Sequence, residues 1–129
     1  MTIKAAPPDF TTIVALDEAH LDQFTTVWPT WVRFKPEIAK QPLLLIVDNP
    51  PQHAEVRSWW HRHLDWIGRD YVFAGWPWRH DLPQRERMLT AIVRNAGLVS
   101  TPYFLKIDTD AYATAPGPYH RVLFNRLMR

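Results

Sequence analysis

Two carboxylates one residue apart, Asp108 and Asp110, follow directly on the apolar run Tyr103-Phe104-Leu105-Lys106-Ile107. At the open end of a strand such a pair repels itself unless a cation or an array of donors compensates. Hard divalent cations such as Mg²⁺ and Mn²⁺ take oxygen ligands, commonly one or two carboxylates completed by the phosphates of a substrate. Asp-x-Asp alone is a weak motif, and the strand in front of it raises its value. Acidic residues also close two other apolar runs: Asp17-Glu18 follows residues 11–16, and Asp48 follows residues 43–47. A single Asp after a strand is commonly a turn former or a helix cap, so Asp17 and Asp48 carry less weight than the pair.

Ligands of an open α/β sheet gather at the carboxyl ends of its strands. The carboxylates therefore matter only if the segments before them are strands of one sheet. Residues 11–16 (TTIVAL), 43–47 (LLLIV), 71–74 (YVFA) and 103–107 (YFLKI) read as short, buried strands. Between them lie segments of helical period. Leu21, Phe24, Trp28 and Trp31 mark the first, which Pro29 is expected to kink or split. Val56, Trp59, Trp60, Leu64 and Ile67 mark the second. Met88, Leu89, Ile92, Val93 and Ala96 make the apolar face of the third, with Asp81 as its expected N-cap, Gln84 as capping partner, Pro83 in the first turn and Asn95-Ala96-Gly97 as the stop. Gly75 and Trp76-Pro77-Trp78 are expected to close the third strand as a turn. The order β-α-β-α-β-α-β implies an α/β fold, a mostly parallel sheet with crossover helices. Residues 1–10 read as an N-terminal extension, and residues 115–129 as a loop followed by a short basic helix.

At 129 residues the chain is expected to be one domain. A formal charge of +2, with no long basic stripe, argues against a nucleic-acid partner. The absence of Cys excludes a disulfide scaffold and a thiolate zinc site. No window approaches the roughly 20 apolar residues of a membrane span, and the N-terminus lacks the apolar core of a signal peptide. A soluble, cytoplasmic protein is the expectation. The seven Trp are numerous for this length; most are expected in the core, with the rest open to stacking on sugar or base rings. His61 and His63, two residues apart on a helix, point in different directions and suit no shared metal. His53, His80 and His120 read as surface positions.

Two enzyme families place Asp-x-Asp after a strand. Haloacid-dehalogenase-like phosphatases do so after the first strand of their domain, and continue with Thr or Val where this chain has Tyr112. The chain more closely resembles family-2-like glycosyltransferases of the GT-A type. Thr11-Thr12-Ile13-Val14 is similar to their opening strand, and Leu45-Ile46-Val47-Asp48-Asn49 to their second. The stretch from Gln84 to Thr90 resembles the helix before their metal motif, Arg94-Asn95-Ala96-Gly97 the turn after it, and the run from Thr101 to Asp110 the motif strand itself. Asn49-Pro50-Pro51 stands where those enzymes usually carry Asp-Gly-Ser.

The resemblance implies a Rossmann-like nucleotide-diphospho-sugar-binding domain. It places Asp110 as ligand to Mn²⁺ or Mg²⁺ bridging two phosphates, and Asp108 at the ribose or a metal-bound water. Asp48 would contact the nucleotide base, Asp17 would line the nucleotide pocket, and Arg85 or Arg87 would add positive charge. The implied donor is a UDP-like nucleotide sugar and the acceptor is unknown. No Asp or Glu occurs in residues 111–129, so the general base of an inverting enzyme is not identified. The expectation is therefore a truncated, donor-binding half, completed by another polypeptide or by self-association. The alternative is a non-catalytic α/β nucleotide-binding or interaction module.

Overall fold

The computed structural model describes residues 10–48, 54–76 and 81–114. Four strands are present: β1 (Phe10–Leu16), β2 (Leu43–Asp48), β3 (Val72–Trp76) and β4 (Tyr103–Lys106). They form one sheet in the order β3-β2-β1-β4, and every pairing is parallel. The helices are α1 (Leu21–Phe34), the single turn α2 (Pro36–Ala39), α3 (Ala54–Leu64) and α4 (Gln84–Arg94). This is the α/β, Rossmann-like alternation expected from the sequence. The short helix expected near the C-terminus and the Pro77-Trp78 part of the expected turn lie outside the described residues.

Alternation along the strands sorts the core into two layers. Phe10, Val14 and Leu16 of β1 and Leu43, Leu45 and Val47 of β2 face one side, where they pack with Leu21, Phe24 and Trp28 of α1 and Trp60 and Leu64 of α3. Ile13, Leu44 and Ile46 face the other side, where Ala91 and Ile92 of α4 cover them. The central strands are thus buried on both faces, which is why they read as continuous apolar runs. Cover on the α4 side is thinner: Val72 and Phe104 are about half exposed.

Four local expectations are corrected. α1 runs from Leu21 to Phe34 through Pro29, so the helix is not split there; Pro29 is exposed, as is Thr25, whose carbonyl loses its helical donor. α4 begins at Gln84 with Pro83, not Asp81, as its N-cap, and Pro83 makes no side-chain cap. The residue before a proline is disfavoured in helical conformation, so Leu82 cannot serve as a first helical turn. On the same helix Ile92 is buried, whereas Leu89 is 53% and Val93 71% exposed. The contact line follows Met88, Ala91 and Ile92, and Leu89 and Val93 fall beside it. Gly75 and Trp76 also belong to β3, paired with Val47 and Asp48, rather than to a turn.

Two consequences can be measured. Leu45 has no exposed surface, so Leu45→Ala is expected to cost about 2–5 kcal/mol. Val93→Ala should change stability by less than about 0.5 kcal/mol, and urea denaturation of the two variants checks the contrast. The second concerns Tyr71, whose hydroxyl lies 2.8 Å from His61 Nδ1. Burial, and secondarily Asp65, push its phenol above the ordinary value. A raised acid favours the neutral form in the fold, so this contribution is complete below the unfolded value near 10 and is lost as pH rises through the folded one. Thermal unfolding at increasing pH above about 9 should show that decline, and Tyr71→Phe should flatten it.

Candidate functional site

β1, β2 and β3 are laid down in succession outward from β1, and the chain then returns to pair β4 with the opposite side of β1. The crossover helices before and after that return lie on opposite faces of the sheet. A crevice opens between them at the carboxyl ends of β1 and β4, the position where open α/β sheets bind ligands. It has a volume of about 620 Å³, within the range of small-molecule sites.

One wall is the end of β4. Lys106 is its last strand residue, Asp108, Thr109 and Asp110 follow, and all four line the cleft. The register is fixed by Ile13 opposite Lys106 and by the Ile107 N–H donating to the Ile13 carbonyl at 2.9 Å. The Ala111 N–H closes a turn onto the Asp108 carbonyl at 3.1 Å. Beyond the turn, the Trp31 indole N–H donates to the Ala111 carbonyl at 2.7 Å, and the Ala113 N–H donates to Thr30 Oγ1 at 3.0 Å. Both partners lie on α1. The Asp-Thr-Asp turn is therefore tied to the sheet on one side and to α1 on the other. Lys106 Nζ pairs with the carboxylate of Asp108, which is 55% exposed.

The opposite wall comes from the end of β1. Ala15 and Asp17 are followed by a 3₁₀ turn, Glu18–His20, that leads into α1. Asp17 is the N-cap of that turn: its Oδ1 accepts from the His20 backbone N–H at 2.9 Å and stands 2.5 Å from His20 Nδ1. Both the turn-former and the pocket-lining readings of Asp17 thus describe it. Gln23, on the first turn of α1, accepts from Thr109 Oγ1 at 3.1 Å and joins the two walls. Met88 and Leu89 of α4 supply the apolar side.

The structure brings Asp17, Asp108 and Asp110 into this one cleft. Asp48 ends β2, one residue past the Leu16–Val47 pairing that puts β1 and β2 in register. Arg85 is the second residue of α4, and Arg87 lies half-buried on the same helix, outside the residues that line the cleft. His20, Gln23, Lys106 and Thr109 were not singled out by sequence reasoning. Lys106 carries a readable signal, a lone cation in an apolar strand. His20 stands three residues after a strand-ending Asp, a spacing that only the turn converts into contact.

Among the described residues no group of three or more His, Asp or Glu side chains is arranged to hold a metal ion. His61 and His63 have separate partners: His61 lies against Tyr71 and Phe73, and His63 stacks on Trp59 with ring centroids 3.9 Å apart. No described Trp lines the cleft; Trp28 and Trp60 are buried in the core. Among the described residues no helix is long and apolar enough to cross a membrane.

The tether from α1 gives a prediction about order in the turn. Trp31→Phe keeps the ring and removes the N–H, so it is expected to cost about 1 kcal/mol. Amide exchange should accelerate at Ala111 and Ala113, while amides of β2 keep their relative protection.

No family model matches the chain, and neither does any curated protein or any solved structure. The chemistry of the cleft therefore rests on its own residues and geometry.

Proposed function

We propose that the cleft binds a nucleotide-diphosphate sugar together with a divalent cation, and that the chain acts as the donor-binding domain of a GT-A type glycosyltransferase. The observation that carries this reading is the placement of Asp108 and Asp110 at the switch point of a parallel sheet, lining one cleft with Lys106. Two carboxylates are too few to hold a cation alone, and they suit one whose remaining ligands are phosphate and water oxygens. Mn²⁺ or Mg²⁺ bound there would stabilise the charge that the diphosphate gains as it leaves the sugar. Lys106 supports the same end. Its ammonium now pairs with Asp108, and once that carboxylate turns to a cation it is placed to donate to a phosphate oxygen.

Other residues divide the ligand between them. Thr109, between the two carboxylates, donates to Gln23 and ties the turn to the start of α1. Met88 and Leu89 offer a flat apolar surface for a sugar or base ring. Asp48, at the end of the neighbouring strand, is where a base contact would fall.

Calorimetric titration with UDP tests the reading. Binding is expected to require Mn²⁺ or Mg²⁺ and to weaken at least about tenfold, ~1.4 kcal/mol, in Asp110→Ala. UDP binding that is indifferent to metal and to Asp110 would remove the proposal. In Lys106→Met, affinity should fall while metal dependence persists.

A further inference from the structure

The diphosphate end of the cleft leaves one pair of side chains without a task. Asp17 ends β1, and the 3₁₀ turn brings the His20 imidazole back onto it, with Nδ1 2.5 Å from Asp17 Oδ1. An ionised carboxylate only accepts, so Nδ1 carries the proton. In the neutral ring the lone pair then sits on Nε2, on the side away from Asp17. A carboxylate that fixes the tautomer and supports the charge of a forming imidazolium is the usual companion of a histidine that accepts protons.

Position matters as much as tautomer. The His20 side chain is 45% exposed and Asp17 24% exposed, and both line the cleft. Gln23, on the first turn of α1, accepts from the hydroxyl of Thr109, the residue between the two carboxylates. The imidazole thus lines the same cleft as Asp108 and Asp110. The charged groups around it are Asp17 and Glu18 on its own turn, and Lys106, Asp108 and Asp110 across the cleft. Of these, Asp108 is engaged by Lys106.

We propose that His20, held by Asp17, is the proton-accepting group of this cleft. The proposal rests on the nucleotide-sugar reading. An acceptor hydroxyl or water forms a bond to the anomeric carbon as the bond from that carbon to the diphosphate oxygen breaks. The electron pair leaves with the diphosphate, and the proton of the attacking oxygen passes to His20 Nε2. Asp17 touches neither reactant; it is a positioning residue.

The test uses the whole chain with UDP, UDP-glucose and Mg²⁺. In H20Q, UDP affinity should stay within twofold of the unsubstituted chain, while glucose release from UDP-glucose falls about 100-fold. By ¹⁵N NMR, His20 should carry its proton on Nδ1 and should shift on adding UDP-glucose with Mg²⁺. D17N should shift the tautomer balance toward Nε2–H and lower glucose release. Equal glucose release by H20Q and the unsubstituted chain would overturn the proposal. So would a chain that binds UDP while its His20 nitrogens stay silent or hold the proton on Nε2. Absence of UDP binding would instead sink the underlying reading, and this proposal with it.

Discussion

Because β4 pairs with β1 on the side away from β2, the chain must reverse the direction in which it adds strands. Right-handed crossovers on either side of that reversal cannot share a face of the sheet. The helices part, and the carboxyl ends of β1 and β4 are left with backbone and side chains facing open space. The cleft, the pairing of its two acidic walls and the exposure of Asp108 all follow from this one parallel pairing. The rest of the fold serves it. β1 and β2 are buried on both faces, so the register of β1 cannot slip by one residue without turning Phe10, Val14 and Leu16 out of their layer. A fixed β1 fixes Ile13, and through it Lys106 and the start of the Asp-Thr-Asp turn.

The turn itself is held from two directions. Backbone bonds to β1 set where it starts, and the Trp31 and Thr30 contacts set where it ends. Two carboxylates one residue apart repel each other, and the ion pair with Lys106 relieves that cost for Asp108. That arrangement suits a site whose charge is rebalanced when a ligand arrives.

Much of this was legible in the residues. The four strands were readable because apolar runs bounded by Asp, Asn and Gly have few other uses, and the parallel class followed from the helical segments between them. The strand order was not readable: nothing local in residues 103–107 says that they pair with β1 rather than β3, since that depends on which crossover covers which face. Pro29 does not split α1, because the cost of a proline depends on whether the orphaned carbonyl is wet. The α4 face misled because Leu89 and Val93 match the helical period while the contact line passes beside them. Asp17 was visible as an acid after a strand, but its union with His20 depends on a 3₁₀ turn that carries no periodic signature.

The central claim is that a divalent cation and a nucleoside diphosphate meet at Asp108 and Asp110. The most direct measurement is the paramagnetic broadening of backbone amide signals by a trace of Mn²⁺ in the presence of UDP. The account predicts broadening centred on residues 106–111, reaching residues 17–23 across the cleft, and absent from α3 despite its two histidines. Broadening centred on His61 and His63, or the same weak broadening everywhere with and without UDP, would contradict it.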